Sequence, residues 1–131
     1  MGYRSDVTAI FYDPKGEMTY EEVLAAMKER FAEVFNYWPE GHWSPLDYRE
    51  ENIEGVPVLF QADYVKWYKN RGADEFVDVT AFENMLTWFD QNPDDIAYEF
   101  GRIGEDTDDM EYKNSPRAMY RMQLERGWDI S

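Results

Sequence analysis

Residues 3–35 read YRSDVTAIFYDPKGEMTYEEVLAAMKERFAEVF, and this stretch decides the fold class. Val7, Ala9 and Phe11 alternate with Thr8, Ile10 and Tyr12, which predicts a strand over 3–12 with two largely apolar faces, a central strand. Asp13-Pro14-Lys15-Gly16 is a turn made of residue types suited to one. Thr19 and Glu22 then stand at capping-box spacing, with Met18 and Val23 at the hydrophobic-staple positions around them. Val23, Leu24, Met27, Phe31, Val34 and Phe35 recur at helical spacing and predict a helix over about 20–35. A strand followed by an amphipathic helix excludes an all-β or all-α reading.

Working outward, residues 36–55 carry no sustained period and are interrupted by Pro39, Gly41, Pro45 and Gly55. They read as a long connection rich in rings. Alternation resumes over 56–68, where Val56, Val58, Phe60, Ala62 and Tyr64 share one face of a second strand. A second helix is expected to start between Asp74 and Thr80, with Asp78 or Thr80 as N-cap, to bury Phe82, Met85, Leu86 and Phe89, and to stop before Pro93. Ile96, Tyr98 and Phe100 mark a third strand, 110–113 a short fourth, and 119–124 a further alternating segment. The order is β-α-β-α-β-β. Two helices on one face of a mostly antiparallel sheet give a two-layer α+β sandwich, with a ferredoxin-like arrangement as one topology that satisfies it.

The chain has 131 residues, so residues 1–131 are expected to form one domain. It holds 13 basic and 28 acidic residues and no cysteine, which excludes disulfides and thiolate catalysis. Aromatic residues make up 18%, far more than in a disordered acidic tail, so a core is available and the acid belongs mostly outside it. The charge is uneven: residues 113–131 hold four basic against two acidic side chains, so that segment suits the acidic body. No signal-peptide pattern opens the sequence and no apolar run is long enough to span a membrane.

Several constellations bear residue types that could carry chemistry. Glu105, Asp106, Asp108, Asp109 and Glu111 form an acidic loop whose carboxylates suit a hard cation. An EF-hand register from Asp106 fails, because Met110, Glu111 and Arg117 occupy its fifth, sixth and twelfth positions. A solvated acidic turn is the plainer reading, and no metal or cofactor is expected. His42 is the sole histidine, which rules out a His-rich zinc site, and no Gly-x-Ser-x-Gly elbow accompanies it. No phosphate-cradling or dinucleotide motif is present, and no catalytic residue is assigned. Trp38, Trp43 and Tyr48 in the aromatic connection are either interface anchors or rings that complete the core. A net charge of −15 repels nucleic-acid phosphate and favours salt-sensitive association with basic surfaces.

Three motifs carry a resemblance: Gly2-Tyr3-Arg4-Ser5-Asp6-Val7, Val65-Lys66-Trp67-Tyr68, and Phe100-Gly101-Arg102-Ile103-Gly104-Glu105-Asp106-Thr107-Asp108-Asp109. In that order they resemble a family of small bacteriophage proteins of largely unknown function. The resemblance implies a single small α+β domain made in the cytoplasm of an infected bacterium; it supplies no reaction.

With the charge, it leads to the expectation of a non-enzymatic protein that binds a host protein with a basic surface. A nucleic-acid-binding defence protein is one such target, which an anti-CRISPR or nucleic-acid mimic would block. The expected contact residues are Glu105, Asp106, Asp108, Asp109, Glu111, Trp38, Trp43 and Tyr48. The alternative is an enzyme or a small-molecule or metal-binding protein that uses the 105–111 loop, Arg102 and nearby rings.

Overall fold

A computed structural model describes residues 4–46, 54–67, 77–92, 96–105 and 109–118, and the backbone of 122–123 and 129–130. The first strand, β1, runs Ser5–Tyr12. It ends in the expected turn. Gly16 N–H donates to the Asp13 carbonyl at 2.9 Å, and the Asp13 carboxylate accepts from the backbone of Lys15 and Glu17, both at 3.0 Å. Gly16 sits at φ 70°, a left-handed position that glycine adopts without steric cost.

Helix α1, Tyr20–Arg30, starts at the capping box: Glu22 N–H donates to Thr19 Oγ1 and Thr19 N–H donates to the Glu22 carboxylate. Thr19→Ala is therefore expected to cost about 1 kcal/mol in urea unfolding, while Thr19→Ser stays near wild type. The single helix expected over 20–35 is two. Phe31 leaves helical geometry at φ −125°, and α2 restarts over Ala32–Tyr37. The break lets Val34 turn into the core that Val23 and Met27 already occupy.

A short 3-10 turn, Glu40–His42, leads into β2, Trp43–Pro45. This strand lies inside the stretch expected to be a connection, and three residues are too few for alternation to reveal. Strand β3 spans Val58–Val65 and helix α3 Val77–Gln91. The helix starts ahead of both expected caps. Asp78 lies in its first turn, where a carboxylate favours the helix dipole, and Thr80 lies further inside. Strands β4, Ala97–Gly104, and β5, Met110–Asn114, follow. Of the segment 119–124, the backbone of β6, Met122–Gln123, pairs with β7, Asp129–Ile130, in a separate two-stranded ribbon. The remainder of that expected strand lies outside the described residues.

The main sheet has the order β2-β3-β1-β4-β5, and every neighbouring pair is antiparallel. Two antiparallel steps make β1 and β2 parallel with β3 between them, and β3 and β4 parallel with β1 between them. This is the connectivity of a ferredoxin-like sheet, two split β-α-β units, extended by β5 at one edge. Central β1 is apolar on both sides because both sides are buried. Val7, Ala9 and Phe11 join Val23, Met27, Phe60, Phe82, Phe89 and Phe100 in the main core under the helices. Ile10, Tyr12 and Ala97 form a second cluster on the opposite face.

One irregularity marks the end of the sheet. Ser5 pairs with Val65 but Val7 pairs with Ala62, so β3 carries an extra residue opposite Asp6. Tyr64 absorbs it at φ 56°, costly for a bulky side chain, and its N–H donates to Asp6 Oδ1 at 2.8 Å. The bulge turns Tyr64 away from the face it was expected to share with Ala62 and leaves it 70% exposed.

Candidate interaction surface

The acidic loop is not a row of free carboxylates. Arg102 projects from β4 on the helix side, and its guanidinium holds Asp109 bidentately, with N–O distances of 2.9 and 3.2 Å. Its Nε donates to Glu111 at 3.2 Å, and the same head group donates to Ser5 Oγ at 2.9 Å. Burial works against the Arg102 charge, but hydrogen bonds to Asp109 and Glu111 and their proximity outweigh it and raise its pKa. Glu105 is exposed and accepts from Arg4 N–H at 2.9 Å. Asp106 and Asp108 lie outside the described residues. Among the described residues, no group of three or more His, Asp or Glu is placed to hold a metal ion.

The tryptophans of the aromatic connection are inside. Trp38 and Trp43 are each 6% exposed and pack against Phe60, with Trp43 also stacked on Phe35. Each indole N–H has a carbonyl acceptor, Asp78 O for Trp38 and Trp38 O for Trp43. Of the two roles read from sequence, these rings complete the core; neither projects as an anchor. Tyr48 lies outside the described residues. His42 Nδ1 is 2.9 Å from the Gln61 carbonyl, which can only accept, so that nitrogen carries the proton. With its ring against Trp38 and Phe60, His42 pins the 3-10 turn to β3.

Two polar arrangements, one fully buried and one half-buried, have no counterpart among the sequence expectations. On the sheet face opposite the helices, Glu99 is fully buried and accepts from Tyr12 Oη at 2.6 Å and Tyr112 Oη at 3.1 Å. The apolar character of both faces of β1 was the signal that this side also packs, and Glu99 pairs directly with Ile10 there. On the helix side, Glu83 of α3 accepts from Trp67 Nε1 and from Lys113 of β5, tying the helix to both sides of the sheet.

Tyr98, 1% exposed, donates to the Asp90 carboxylate at 3.0 and 3.1 Å. Burial, then the Asp90 hydrogen bond and charge, push its pKa far above the ordinary tyrosine range. The unfolded chain therefore loses this proton first. Stability from this group is intact below about pH 10, the unfolded tyrosine value, and falls as pH rises beyond it. Urea unfolding between pH 8 and 11 is expected to show that alkaline loss, and Tyr98→Phe to flatten it.

What remains at the surface is carboxylate. Glu17, Glu21, Glu29, Glu33, Glu40, Glu54 and Asp63 are exposed, and their carboxylates have no hydrogen bond or ion pair among the described residues. Glu21, Glu29, Glu33 and Glu40 are exposed on α1, α2 and the 3-10 turn, with Lys28 and Arg30 exposed among them. Tyr37, on α2, is 40% exposed. Among the described residues the exposed bases are fewer: Lys15, Lys28, Arg30, Lys66 and Arg117. No helix among the described residues is long and apolar enough to cross a membrane. Comparison with protein-family models, with curated proteins and with solved structures returns no match for this chain.

Proposed function

We propose that this protein is a non-enzymatic binder that docks its acidic helical side on the basic surface of a bacterial host protein and thereby blocks it, as a phage-encoded antagonist of a nucleic-acid-binding defence factor would. The observation that carries the reading is the set of exposed, unpaired carboxylates of Glu21, Glu33 and Glu40 on α1, α2 and the 3-10 turn, with exposed Tyr37 on α2. Charges that are not spent on internal partners are free to steer a basic partner and to occupy a groove built for phosphate. Asp109 and Glu111 serve the fold through Arg102, so the contact surface shifts from the acidic loop to the helices. Tyr37, exposed on α2, supplies the ring that Trp38 and Trp43, buried in the core, do not.

Immobilised protein exposed to bacterial lysate is expected to retain a basic, nucleic-acid-binding protein in low salt. The triple variant Glu21→Lys, Glu33→Lys, Glu40→Lys is expected to lose it while keeping its circular dichroism. Retention of the same partner by the triple variant would overturn the assignment of this surface.

A further inference from the structure

A second feature points to a different ligand. Between the C-terminal ends of α1 and α3 lies a cavity of about 320 Å³, within the size range of small-molecule sites. Met27, Phe89 and Ile96, each no more than 2% exposed, form its floor. Phe31 and Trp88 form its walls, edge to face with centroids 5.6 Å apart. At the rim, the Arg30 guanidinium lies 4.3 Å from the Trp88 ring centroid.

Arg30 has no ion pair or hydrogen bond from its guanidinium among the described residues. In a chain with 28 acidic residues against 13 basic ones, an arginine held against a ring without a carboxylate partner is unusual. Contact with the Trp88 ring holds the guanidinium at the rim, where its N–H groups can take a bidentate anion. Glu29 stands on the same rim. It has no ring or donor to orient it, and it disfavours a second negative charge on a ligand.

From this geometry we propose that the cavity binds a small hydrophobic monocarboxylate. Its ring or branched alkyl body lies over Met27, Phe89 and Ile96, against the edge-to-face pair of Phe31 and Trp88, and its carboxylate pairs with Arg30. The site shares Glu29 with the acidic helical surface, but Glu21, Glu33 and Glu40, the residues reversed in the test of that surface, do not line it.

The probe is 4-phenylbutyrate, titrated into the whole protein by isothermal calorimetry beside its neutral amide and the corresponding amine. The acid is expected to bind at least about tenfold more tightly than the amide, the scale of one charge-assisted hydrogen-bonded contact. Arg30→Gln is expected to erase that difference, and Trp88→Leu to weaken acid and amide alike. Because Arg30 is exposed, the glutamine variant keeps the fold, which thermal unfolding checks directly. The proposal is overturned if the acid does not bind at millimolar concentration, if amide or amine binds as well as the acid, or if Arg30→Gln keeps the preference.

Discussion

Phe82→Ala is expected to cost roughly 3–5 kcal/mol of unfolding free energy, among the largest effects of any single truncation in this chain. Phe82 is fully buried and meets five other rings, with centroids at 4.6 Å for Phe60, 5.4 Å for Trp67, and 6.2 Å for Phe11, Trp43 and Phe100. It joins α3 to β1, β2, β3 and β4 at one point, and rigid neighbours on every side cannot collapse into the space it leaves. The deletion therefore loses both transfer free energy and contacts across a cavity. Phe82→Leu keeps most of the volume and is expected to lose no more than about 1.5 kcal/mol. Urea denaturation of the two variants measures both. A loss under about 1 kcal/mol for the alanine variant would mean that α3 is not seated on the sheet as described.

The second large effect belongs to the other sheet face. Glu99→Ala is expected to cost about 3 kcal/mol, because it strips an acceptor from the Tyr12 and Tyr112 hydroxyls and leaves a gap beneath them. Tyr12 is itself only 1% exposed, so water cannot easily replace the lost acceptor. Glu99→Gln keeps an amide oxygen in place and is expected to lose clearly less. Tyr12→Phe, which removes one donor and no volume, should fall near 1 kcal/mol. Chemical denaturation ranks the three, and a glutamine variant as damaged as the alanine one would contradict the account that hydrogen-bond acceptance is what Glu99 supplies to Tyr12 and Tyr112.

How much of this was legible in the sequence follows from where periodicity operates. The capping box at Thr19 and Glu22 is a local pattern, and local patterns carry over directly into geometry. The stripe Phe82, Met85, Leu86, Phe89 is long enough to define a helix face, and all four residues are buried. By contrast, β2 is three residues with one buried ring, and it exists because β3 offers an edge to pair with. Its absence from the sequence reading left the ferredoxin-like connectivity as one option among several. The break at Phe31 is likewise tertiary, since no glycine or proline stands there to end the helix.

The candidate surface was legible in charge but not in position. Composition cannot say which carboxylates are spent internally. Arg102 takes Asp109 and Glu111 because β4 and β5 pair Arg102 with Glu111 directly, a register fact. Ring-rich sequence equally suits an interface or a core, and Trp38 and Trp43 went to the core because their indole N–H groups find buried carbonyls. Tyr64 is exposed through a one-residue bulge that alternation cannot foresee.

The claim that the unpaired carboxylates of the helical side drive function is tested most directly by association kinetics with the captured partner across a salt series. For the wild-type chain, the association rate is expected to fall by roughly tenfold or more as salt rises through the range where the screening length shortens from about 30 to 8 Å. For the variant Glu21→Lys, Glu33→Lys, Glu40→Lys, the rate is expected to start low and respond weakly to salt. Equal rates and equal salt slopes for the two proteins would contradict the account.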